Sequence, residues 1–169
     1  MRSIIKDGAI VEDNWRLVRP DEAGVLPQVP TDTDVIVPLN AWRSADWRQR
    51  TGRTAVWLAP DEDPGLLVSD LDVLPLIAVD FPSFTDGRGY SIGRLLRERY
   101  GFSGEMRAVG DVWKDVLHYL WQVGFDAFEL KPGKEIALHM QGLQDFSERY
   151  HSTWREPEPL FRRRSKTGA

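Results

Sequence analysis

A chain of 169 residues, 41% apolar and 28% charged with a net charge of −4, is sized for one globular domain with a full core. The weak negative charge argues against nucleic acid or an acidic membrane as a partner, and the lack of any cysteine excludes disulfides, thiolate metal sites and thiol redox chemistry. Charges fall too early for a secretory leader, and the longest apolar run, residues 74–79, is far too short to cross a bilayer, so a cytoplasmic protein is expected.

In chain order, residues 1–19 read as an N-terminal hairpin. Ser3-Ile4-Ile5 and Ala9-Ile10-Val11 flank Lys6-Asp7-Gly8, a turn with glycine where a positive φ is needed. Trp15 to Val18 would extend that hairpin as a third strand. Residues 20–33, rich in proline and acids, read as a loop. Residues 34–151 read as β/α units. Asp34 to Pro38 predicts a strand stopped by proline, and residues 40–48 a short helix capped by Asn40. Arg53 to Ala59 predicts a strand, and residues 64–74 a short helix with Asp63 as cap and Pro64 at its first position.

Three strand–loop–helix units then follow over residues 74–130. Leu76 to Val79 and Met106 to Val109 are apolar on both faces, as parallel strands covered by helices are. The expected fold is therefore a single α/β domain over residues 1–154. It has a mainly parallel sheet of about five strands, resembling part of a (β/α) barrel, with the hairpin added. A last helix is predicted over residues 134–151, its stripe formed by Ile136, Met140, Leu143, Phe146 and Tyr150. Residues 155–169, with Arg162-Arg163-Arg164, read as a flexible basic tail.

In such sheets ligands gather beyond the carboxyl ends of the strands. Asp80, Asp86, Tyr90 and Asp111 are the candidate catalytic groups there. Gly87, Arg88, Gly89 and Arg94 form a candidate anion-binding loop at the start of a helix that begins at Tyr90 or Ser91. Their spacing departs from a dinucleotide-binding fingerprint, and Asp-Gly-Arg-Gly is also a good turn, with Gly87 or Gly89 at positive φ. Asp80, Asp111 and Glu129 each end a successive strand and are candidate ligands for a divalent ion. The bland readings are that Asp111 caps a helix starting at Val112 and that Asp80 fixes the turn at Phe81-Pro82. The helix over 112–123 carries Trp113, His118, Tyr119 and Trp121 and is apolar nearly all round. It is either covered by a neighbouring helix or forms a homo-oligomer interface. The three histidines show no ligand spacing, and no flavin or haem motif appears, so no cofactor is expected.

The central block resembles a bacterial family known as domain of unknown function 934. The resemblance is carried by Leu76 to Pro82, Phe84 to Ser91, Arg94 to Phe102, Gly104-Glu105, Arg107 to Val112 and Gly124 to Leu130. It implies an accessory protein of assimilatory sulfur metabolism, working with sulfite reductase or its electron donor. Some relatives are labelled oxidoreductases. Relatives often carry a cysteine where Val123 stands here, and an arginine where Lys114 stands, so any redox role built on that cysteine has no carrier in this chain. The alternative is a small α/β enzyme or ligand-binding protein with an anion or metal site at the strand ends.

Overall fold

The computed structural model describes residues 2–44, 47, 49–83, 85–131, 135–144, 154, 155 and 158. Its centre is a mixed sheet of eight strands in the order β2-β1-β8-β7-β6-β5-β4-β3. β4 (Val35–Pro38), β5 (Thr54–Leu58), β6 (Leu76–Phe81), β7 (Glu105–Gly110) and β8 (Ala127–Phe128) run parallel, each beside its predecessor. The register of β6 on β7, Leu76 opposite Glu105 through Phe81 opposite Gly110, confirms the parallel pairing expected of two strands apolar on both faces.

The sheet is larger than the five strands expected, because the N-terminal segment joins both of its edges. β1 (Arg2–Lys6) and β2 (Ala9–Asp13) form the expected hairpin. Asp7 and Gly8 both take positive φ, 49° and 77°, the two-residue turn whose twist matches that of the strands. β1 then pairs antiparallel with β8. β3 (Arg16–Leu17) does not extend the hairpin. It pairs parallel with β4 at the opposite edge, its backbone held by Arg16 N–H to Asp34 O and Val18 N–H to Ile36 O, each 2.9 Å. A two-residue strand carries no periodicity to say which edge it joins.

Asn14 and Trp15 alone separate β2 from β3, so the two edges of the sheet must lie close and the sheet curls. Side chains confirm it. Arg107 on β7 reaches Asp13 on β2 at 3.0 Å, and Arg19, just past β3, reaches Asp80 on β6 at 2.6 Å. Each pair spans three strand spacings, about 14 Å in a flat sheet.

Alternation along the strands separates two faces. The outer face carries Val35, Val37, Val56, Leu58, Ile77 and Val79, all buried in the large core under the helices. The inner face carries a smaller apolar group, including Ala55, Trp57, Leu76 and Ala78, together with the buried charges Asp13, Asp80 and Arg107.

The helices lie mostly where predicted. Pro64–Asp70 is a 3-10 helix, with Asp63 Oδ1 accepting the Gly65 N–H at 2.8 Å. α1 is only Leu39–Trp42, and Asn40 sits inside it, its Oδ1 taking the Ala41 N–H. α2 (Arg88–Arg94) starts two or three residues before the expected Tyr90 or Ser91 and continues as a π-helical turn, Leu95–Arg99. Neither Gly87 nor Gly89 has a positive φ. Gly89 is needed for space instead, since a Cβ there would lie 2.5 Å from the Phe81 ring. α3 is Lys114–Val123, later than the Val112 start expected of an Asp111 cap. Leu117 and Leu120 of α3 are buried, and α4 (Ile136–Gln144) packs beside it, the neighbour-helix arrangement. Ile136, Met140 and Leu143 contact the core as the stripe predicts, while Phe146 and Tyr150 lie outside the described residues.

Candidate functional site

The three strand-end acids do not converge. Asp80 pairs with Arg19, which itself lies over the Trp57 ring at 5.1 Å. Asp111 meets Lys131 at 3.0 Å, and Glu129 meets Arg2 at 3.1 Å. Each carboxylate thus meets a different cation, and among the described residues no three His, Asp or Glu side chains group as a metal ion would require.

The loop residues do come together, on the surface at the start of α2. Asp86 accepts the Arg88 backbone N–H and two guanidinium bonds, from Nε at 3.0 Å and Nη2 at 2.7 Å. Arg88 holds the Asp86 carboxyl below its ordinary value, and Asp86 raises Arg88 in turn. The Arg88 side chain remains 61% exposed, its fork held rigid rather than withdrawn.

Two helices complete this surface. Tyr90 of α2 packs edge-on against Phe81 at 5.2 Å, which fixes its ring, and stands 4.8 Å from Tyr119 of α3. Burial pushes the Tyr90 phenol above its usual range, with Tyr119 adding to the shift, so Tyr90 is a neutral hydrogen-bonding group at neutral pH. Tyr119 is half exposed and lies close enough to act electrostatically on Arg94, which pairs with Glu98 one turn on. Tyr90, Arg94 and Tyr119 therefore share one face, while Arg88 stands at the amino end of the same helix, and Arg88, Tyr90 and Arg94 are candidates the sequence singles out. Tyr119 was legible only as one of several aromatics on its helix. Its place beside Tyr90 depends on how α2 and α3 pack.

A second concavity was not legible at all. It measures about 520 Å³, lies on the inner face at the amino ends of the parallel strands, and is lined by residues of the hairpin and of β7. The chain pattern points to the opposite mouth of the sheet, because in parallel β/α folds the loops that follow the strands carry the site.

Comparison with known proteins adds the family. Residues 55–161 match the model of a family described as "Bacterial protein of unknown function (DUF934)". The chain belongs to this family. The match starts at the second residue of β5 and takes in the whole α2–α3 face, while the hairpin lies before it. No curated protein matches the chain. No described helix is long and apolar enough to cross a membrane.

Proposed function

We propose that this member of the family is an accessory protein of assimilatory sulfur metabolism that docks on sulfite reductase or its electron donor through the α2–α3 face. The observation that carries the docking reading is the half-exposed Tyr119 packed on the partly buried Tyr90, on a helix that begins with the braced Arg88. Tyrosine and arginine are the residues that dominate binding hot spots, because each brings large contact area and directed hydrogen bonds at small entropic cost. Asp86 holds the guanidinium in place before a partner arrives, and Phe81 does the same for the Tyr90 ring. The identity of the partner rests on the family resemblance.

Growth of a deletion strain on sulfate as sole sulfur source tests the reading. The wild-type gene restores growth, whereas Arg88→Ala and Tyr119→Ala do not, although both side chains are exposed and both variants melt with the parent. Normal growth of the deletion strain, with unchanged sulfite reductase activity, would refute the proposal.

A further inference from the structure

The inner face carries a charge network that the docking reading leaves unused. Arg107, 1% exposed in the middle of the sheet, donates to Glu105 through Nε at 2.8 Å and to Asp13 through Nη1 at 3.0 Å. Lys6 Nζ meets the other Glu105 oxygen at 2.7 Å, and Arg2 covers the second oxygen of Asp13. Ion pairs this deep contribute little net stability compared with apolar side chains of the same volume. Here they border a cavity of about 520 Å³, the size of a small-molecule site.

Hydrogen-bond accounting indicates what the cavity takes. The oxygens of Asp13 and Glu105 are used. Asp13 accepts from Arg2, Arg107 and the Trp15 N–H, and Glu105 accepts from Arg107 and Lys6. The cations are not used up. Lys6 spends one of its three N–H groups on Glu105. Arg53 uses Nε and Nη2 on Asp34 and leaves Nη1 over. Arg107 keeps one N–H on each terminal nitrogen. Lys6 and Arg53 thus offer spare donors at the cavity, beside the partly exposed apolar surface of Val11 and Trp15. Asp7 and Glu12 also border the cavity, so its lining sets four carboxylates, with Asp13 and Glu105, against the three cations Lys6, Arg53 and Arg107, and this balance disfavours a multiply charged anion.

We infer that this cavity binds a small organic monoanion, with its carboxylate on the Lys6 and Arg53 donors above Arg107 and its apolar body against Val11 and Trp15. The inference is independent of docking at the α2–α3 face, since the cavity lies among the strands and away from that helix pair.

Benzoate is the probe, titrated by calorimetry into the wild-type chain, with sodium sulfate and benzyl alcohol as comparators. The expected result is saturable benzoate binding at least ten-fold tighter than either comparator, and at least ten-fold weaker in Lys6→Gln. Arg53→Gln is the second variant, on an exposed side chain, should Lys6→Gln melt lower than the parent. Benzoate binding no tighter than benzyl alcohol overturns the carboxylate reading. Tighter binding of sulfate overturns the monoanion, and unchanged affinity in both variants overturns the site.

Discussion

Asp34 and Arg53 illustrate how single side chains tie the curled sheet together. Asp34 precedes β4 and takes both the Arg53 backbone N–H and two guanidinium bonds from the residue before β5, while the Arg53 guanidinium lies 4.7 Å from the Trp15 ring. The Arg53 side chain holds the Asp34 carboxyl below its ordinary value of 3.8. A carboxylate with a depressed folded pKa contributes stability that is present above about pH 4 and lost as pH falls through the lower folded value. The pair is exposed, so its contribution is small, about 0.2–1 kcal/mol. Urea melts of wild type and Asp34→Asn should therefore differ by that amount at pH 6 and converge as the pH falls below 3.8. A gap that widens on acidification would contradict the assignment. The sequence showed Asp80, Asp111 and Glu129 as strand-end acids, but not that Arg19, Lys131 and Arg2 would each claim one. Arg19 and Arg2 lie 61 and 127 residues away along the chain, so no local spacing encodes these pairs.

Among the elements, strands and turns were the legible part, because alternation, proline stops and the Asp-Gly turn act locally. Which edge a strand joins was not legible. β3 looks like an extension of the hairpin, yet it adds to β4, since Asn14 and Trp15 let one extended segment serve both edges of a curled sheet. The α2 loop shows a related limit. Asp-Gly-Arg-Gly suggested glycines chosen for positive φ, whereas Gly87 and Gly89 have ordinary backbone and differ in what surrounds them. A Cβ at Gly87 meets nothing within 4 Å, and one at Gly89 meets the Phe81 ring. Gly89→Ala is expected to cost about 1–3 kcal/mol by overpacking, and Gly87→Ala less than about 0.5 kcal/mol. Thermal melts separate them, and equal losses would mean that backbone freedom rather than space sets both positions.

The whole molecule is fastened on its outer side by a stack of cations and rings. Arg97, nearly fully buried, lies between Phe102 at 5.6 Å and Trp154 at 5.0 Å. It donates to the carbonyls of Phe102, Gly104 and Gly124 and to Asp126. Arg155 continues the stack between Trp154 and Trp121, 3.5 Å from the latter, and donates to the Trp121 and Phe125 carbonyls. Arg155 therefore belongs to the folded body rather than to the tail, and the basic run beyond it lies outside the described residues. Burial lowers the pKa of both guanidiniums, which nevertheless stay charged at any ordinary pH. Arg155→Ala should lower stability by about 1–3 kcal/mol by leaving two carbonyls and the Trp121 face uncovered, while Arg155→Lys recovers only part of it. Denaturant melts of the two variants check this, and a full recovery by lysine would mean that charge alone matters. Composition marked this segment as loose because stacking depends on where α3 and the π-helical turn present their residues.

The central claim, docking through the α2–α3 face, is tested most directly by binding of the purified chain to purified sulfite reductase holoenzyme, followed by interferometry. The account predicts a saturable complex with the wild-type chain and at least ten-fold weaker binding for Tyr119→Ala and for Arg88→Ala, each with an unchanged melting temperature. Saturable binding that both variants retain in full would contradict the claim.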